Sequence, residues 1–116
     1  MFTTANVTLL VSDMDRAIAF YRDVLGLPMG ERFGDHFAWV EAPGVRIGLH
    51  PGGKKPFTEH GRHMQIGLKV DDMDEAAATL EKKGVKLTRV DDKGSRVANF
   101  TDPDGNPLYL IELKWG

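Results

Sequence analysis

An α+β fold of two βαβββ modules in tandem is what the amino-acid sequence predicts, and three observations predict it. The stretch Val7–Leu27, VTLLVSDMDRAIAFYRDVLGL, returns at Ile66–Leu87 as IGLKVDDMDEAAATLEKKGVKL. A repeat of this kind marks a duplicated supersecondary unit, and two copies are too few for a solenoid. In each copy an alternating apolar run ends in Val (Val11, Val70). It passes through Asp-Met-Asp into a helical-period run that closes on Gly26 or Gly84, a strand followed by a helix. After each copy come only β-type runs broken by turn residues. The expected organisation is one domain over residues 1–116, with module 1 at about 1–50, a linker at about 51–62 and module 2 at about 63–116.

Taken in order, Asn6–Val11 alternates, with Val7, Leu9 and Val11 on one face and Asn6, Thr8 and Leu10 on the other. Ser12 or Asp13 caps the first helix, and Asp15 adds negative charge to its first turn. Ala17, Ile18, Phe20, Tyr21, Val24 and Leu25 form its apolar stripe, and Gly26 and Pro28 end it. Strands are expected near Met29–Phe33, Phe37–Glu41 and Val45–His50, with turns at Gly34-Asp35 and Pro43-Gly44. Pro51–Arg62, PGGKKPFTEHGR, reads as a loop. The second helix runs from about Met73 to Lys83, capped by Asp72, ended by Gly84 and one residue shorter than the first. Strands near Lys86–Val90 and Arg96–Thr101 follow, then the turn cluster Asp102–Pro107. The last strand, Leu108–Trp115, is expected to turn Tyr109, Ile111, Leu113 and Trp115 toward the helix.

Composition narrows the function. The net charge of −2 does not favour nucleic acid, which calls for a basic patch. With no cysteine, disulfides and thiolate chemistry are excluded. The N-terminus shows no secretory signal, and no apolar run approaches the roughly 20 residues of a membrane span. A soluble, cytoplasmic protein with no membrane partner is the expectation.

Each module covers one sheet face with its helix and leaves the other open, and two open faces can line a shared cleft suited to a small molecule. By parity the open faces carry Asn6, Thr8, Arg46, Gly48, His50, His63, Gln65, Gly67, Leu108, Leu110 and Glu112, with Phe37 and Trp39 adding aromatic surface.

With VTLLVSDMDRAIAFYRDVLGL, VDDMDEAAATLEKKGV and FTDPDGNPLYLIEL in these relative positions, the chain resembles the vicinal oxygen chelate superfamily, the glyoxalase, bleomycin-resistance protein and dioxygenase group. The resemblance implies the glyoxalase/bleomycin-resistance fold. It implies metal ligands on the first and last strands of each module: Asn6 and Gln65 on the first strands, Glu112 and either His50 or Gly48 on the last. A divalent ion (Zn, Ni, Mn, Co or Fe) would then sit on His50, Gln65 and Glu112, with Glu112 the catalytic candidate. Asn6 and Gln65 depart from the pattern, because metal-binding members usually carry His at such positions and neutral amides are poor ligands for these ions.

Two main functional readings follow. One is a small-molecule-binding protein with a non-standard metal site, its ligand contacted by Asn6, Trp39, Arg46, His50, His63, Gln65 and Glu112. The other is a divalent-metal-dependent lyase or isomerase of the glyoxalase type. A dimeric interaction module without a ligand is a third. The resemblance also implies a homodimer. Plainer roles suit other residues: His60 as a solvated loop histidine, Lys54, Lys55 and Arg62 as a hydrophilic linker, and Asp13, Asp15, Asp72 and Asp74 as helix-start charges.

Overall fold

The computed structural model describes residues 1, 3–52, 65–92 and 95–113. The chain separates into two compact units, Met1–Phe57 and Thr58–Gly116. Unit 1 contains β1 (Val7–Val11), α1 (Met14–Ile18), β2 (Met29–Phe33), β3 (Phe37–Ala42) and β4 (Val45–Pro51). Unit 2 contains β5 (Ile66–Lys69), α2 (Met73–Lys82), β6 (Thr88–Asp92), β7 (Ser95–Thr101) and β8 (Pro107–Leu113). Each unit forms an open four-stranded sheet, ordered β1-β4-β3-β2 or β5-β8-β7-β6. The first strand of each unit pairs parallel with its last, and the other pairings are antiparallel. This is the tandem βαβββ architecture. Among the described residues no helix is long and apolar enough to cross a membrane.

Both helices start as the Asp-Met-Asp turns require. Asp13 accepts a hydrogen bond from the Arg16 amide (3.0 Å), and Asp72 accepts one from the Glu75 amide (3.1 Å). These satisfy amides that have no partner inside the helix. The two helices differ in their interiors. α1 continues as a π-helical turn, Ala19–Val24, whereas α2 stays α-helical throughout. The wider turn takes up the extra residue of the first copy, so both helices still end on a left-handed glycine, Gly26 (φ 74°) and Gly84 (φ 90°).

A repeated ion pair ties each helix to the outermost strand of its sheet. Arg32 of β2 reaches Asp15 of α1 at 2.7 Å, and Arg89 of β6 reaches Asp74 of α2 at 3.2 Å. The two arginines are equivalent in register, since Arg32 pairs with Ala38 and Arg89 with Ala98. Asp74 also receives Arg96 at 2.7 Å. The hydrogen bond from Arg96, with a second from Arg89, holds the Asp74 carboxyl below its usual range.

In unit 1 the core has the expected parity. Val11, Ile47, Leu49, Ala38 and Val40 are buried together with Met14, Ala17, Ile18 and Tyr21 of the helix. β8 corrects the sequence expectation. Leu108 and Leu110 are the buried residues, with Ala98 and Phe100 of β7 and Met73, Ala77 and Leu80 of α2. Tyr109 and Ile111 take the other face. The phase is set upstream in the Asp102–Asn106 turn. There the Asp102 carboxylate accepts from the Asp104 amide (2.9 Å), the Asn106 amide (2.8 Å) and the Asn106 side-chain amide (2.8 Å). Burial alternates without a break from Asp102 to Leu110, the even positions inside.

Candidate functional site

The open face of unit 1 gathers a connected set of side chains. Trp39 of β3 stands in register with Gly48 of β4, and Gly48 in turn with Thr8 of β1. Phe37 meets Trp39 edge-on, with ring centroids 4.7 Å apart. Its ring lies across Gly48, where any Cβ would collide with it. Glycine at this position is what lets an aromatic ring rest on the sheet. The Arg46 guanidinium lies over the Trp39 ring, 4.0 Å from its centroid, and its Nε donates to Glu41 at 2.7 Å. Indole and guanidinium attract through the ring quadrupole, and the carboxylate fixes the position of the cation. Arg46 and Glu41 come together because they face each other across the Pro43-Gly44 turn.

His50 closes the set, its ring 6.2 Å from that of Phe37. Its Nδ1 lies 2.7 Å from the Pro51 carbonyl oxygen. A carbonyl only accepts, so Nδ1 carries the proton in this contact. Asn6 lies just before β1, and its side-chain amide donates to the Thr8 hydroxyl at 3.2 Å.

On unit 2, Gln65 is exposed just before β5. Glu112 is not on the open face. Its Oε2 accepts from the Met73 amide at 2.6 Å, and its Oε1 is 4.0 Å from Arg96. The carboxylate therefore faces the start of α2, where an unpaired helix amide and the helix dipole both favour an anion. Leu108 and Leu110, also expected on the open face, are core residues. Tyr109, expected in the core, lies on the open face across Gly67. The expected matches of Glu112 to His50 or Gly48 both fail, because Leu9 pairs with Leu49 and Leu68 with Leu110. Gly48 thus corresponds to Tyr109, and Pro51 to Glu112. His63, with His60, Lys54, Lys55 and Arg62, lies outside the described residues, as does Trp115.

Tyr109 and Glu41 were missed as open-face residues. The strand registers identify Tyr109: with Val7 matched to Ile66, Ile47-Gly48-Leu49 takes the place of Leu108-Tyr109-Leu110. Glu41 shares the parity of Phe37 and Trp39.

The donors do not suit a standard divalent-metal centre. Among the described residues no group of three or more His, Asp or Glu could hold an ion. The last-strand positions offer glycine and a phenol, and Glu112 is engaged at a helix start. Catalytic metal sites ordinarily use three imidazole or carboxylate ligands.

The family model for the Glyoxalase/Bleomycin resistance protein/Dioxygenase superfamily matches residues 3–110. The uncharacterized protein YraH of Bacillus subtilis (strain 168) is 32% identical, over 92% of this chain and 95% of its own length. A lactoylglutathione lyase of Salmonella typhimurium is 29% identical, over 91% of this chain and 89% of its own length. Among solved structures, TnmS3, an antibiotic binding protein from Streptomyces sp. CB03234, is 25% identical with a TM-score of 0.72, covering 98% of this chain and 100% of that one. The duplicated βαβββ units and the family match over nearly the whole length agree: the chain belongs to the glyoxalase/bleomycin resistance protein/dioxygenase superfamily.

Proposed function

We propose that this chain binds a planar, anionic aromatic molecule, an aromatic carboxylate in chemical class, on the open face of its first unit and without a metal ion. The observation that carries this reading is Arg46 held over Trp39 by Glu41. The guanidinium covers the indole, so a planar ligand stacks on the Phe37 ring rather than directly on Trp39. Among the described residues the hydrogen bond of Arg46 uses Nε, which leaves the Nη groups to meet a carboxylate in bidentate fashion. The Thr8 hydroxyl supplies a further polar contact on the same face. Similarity to an antibiotic binding protein supports a binding role on this fold.

The test is calorimetric titration of 2-naphthoate into chelator-treated protein. One-to-one binding is expected, weakened on the order of tenfold or more in Arg46→Ala, since a charge-assisted hydrogen bond contributes roughly 1.5–3 kcal/mol. Equal affinity in wild type and Arg46→Ala would sink this assignment.

A second reading, a divalent-metal lyase or isomerase, is favoured by the similarity to lactoylglutathione lyase. It is tested by elemental analysis of protein purified without chelator. Stoichiometric metal that disappears in His50→Ala would establish it over the first. The expected content is well below one ion per chain. We also propose, as the family resemblance implies, that the chain forms a homodimer.

A further inference from the structure

We propose that Glu41 makes the open face of the first unit selective for ligands with a single negative charge and turns away dianions of the same shape. The proposal rests on the binding reading above and names the charge class that the face accepts. Three observations, all within this unit, carry it. Glu41 accepts from Nε of Arg46 at 2.7 Å, so the cation of the site is already paired with one carboxylate. That carboxylate rests in an opening at Gly30 of β2, where a Cβ would lie 2.6 Å from its Oε1 and 3.1 Å from the Cβ of Trp39. Among the described residues of the unit there is no lysine, and Arg46 is the only arginine on this face. Arg16 and Arg22 belong to α1 and the π-helical turn after it, and Arg32 turns to Asp15 of α1 and to Asp35.

Charge balance on the face then decides which ligands bind. A ligand carboxylate that meets the Nη groups shares one guanidinium with Glu41, so the two carboxylates are held close together. One cation between two single negative charges keeps that arrangement favourable. A second carboxylate on the ligand finds no further cation on this face and is repelled by Glu41. Selection between two ligands is a difference of affinities, and a like charge built against one of them supplies it. Arg46 and Glu41 keep 45% and 42% of their side-chain surface exposed, so the repulsion is screened by salt, as a purely steric filter is not.

The test is calorimetry on the full chain with 2-naphthoate, naphthalene-2,3-dicarboxylate and the monomethyl ester of that diacid, which keeps the shape and loses one charge. It is run at about pH 7.5, where both carboxyls of the diacid are ionised. Wild type is expected to bind the monoester within a few-fold of 2-naphthoate and the dianion roughly tenfold more weakly than the monoester, the gap closing as salt rises from about 0.02 to about 0.5 M. Glu41→Gln keeps an acceptor oxygen for Arg46 and removes the charge. It is expected to hold the monoester within a few-fold of its wild-type affinity and to bring the dianion within about threefold of the monoester. Equal affinity for dianion and monoester in wild type, a gap that survives in Glu41→Gln or in high salt, or rejection of both larger molecules overturns the selectivity while the unit 1 site stands. No binding of 2-naphthoate by the wild-type protein overturns both.

Discussion

Glu112 and Asp74 show what charged residues do at the start of α2. Glu112 accepts from the first helical amide, so removing its carboxylate leaves a half-buried donor unsatisfied. Glu112→Ala is expected to destabilise the protein by about 1–2 kcal/mol in urea unfolding, and Glu112→Gln, which keeps an acceptor oxygen, by less. Binding of 2-naphthoate is expected to be unchanged in Glu112→Gln. Asp74 makes a prediction about pH. Its folded pKa is depressed by Arg96 and Arg89, so its contribution to stability is fully present above the ordinary carboxylate value of about 3.9. It is lost as the pH falls through the lower folded value. Asp74→Asn should therefore flatten the acid limb of a melting-temperature profile and change its slope little near neutrality. The caps Asp13 and Asp72 were legible in the sequence because a helix-start aspartate acts on amides two or three residues away. Glu112 was not, because its partner is 39 residues distant.

The strands and helices were readable to within a few residues because each has its own period and its own punctuation. The facing of β8 was not. Both of its faces are apolar, Leu108 and Leu110 on one and Tyr109 and Ile111 on the other, so alternation alone carries no sign. Its phase comes from the Asp102 hydrogen bonds, local to a turn whose geometry periodicity does not report, and from pairing with Ala98 and Phe100, a tertiary fact. The π-helical turn was equally hidden, visible only as one surplus residue relative to the second copy. The ring resting on Gly48 makes an element-scale prediction. At Gly48 a Cβ would strike the Phe37 ring and come within 3.2 Å of the Thr8 hydroxyl oxygen. Gly48→Ala is expected to cost about 1–3 kcal/mol in denaturant unfolding and to weaken 2-naphthoate by displacing Phe37. A variant with unchanged stability and affinity would contradict the packing described for this face.

Across the whole molecule, duplication supplies the framework and divergence supplies the chemistry. The copies share strand order, parallel closing pairs and an ion pair from helix to edge strand, but their open faces differ: Phe37, Trp39, Glu41 and Arg46 on one, Tyr109 and Asn99 on the other. Phe33 on β2 and Val90 on β6 are exposed at 51% and 53%, apolar side chains on the edge strands of the two sheets. If the proposed homodimer buries them, light scattering should give twice the 12.9 kDa chain mass, and Phe33→Glu with Val90→Lys should return the monomer. A monomer at micromolar wild-type concentration would count against it. The central claim is that aromatic anions bind through Arg46, held over Trp39, without a metal. Its most direct test is the 2-naphthoate isotherm measured before and after exhaustive chelation. The account predicts the same one-to-one isotherm in both, and binding that vanishes with the chelator and returns with a divalent ion would contradict it.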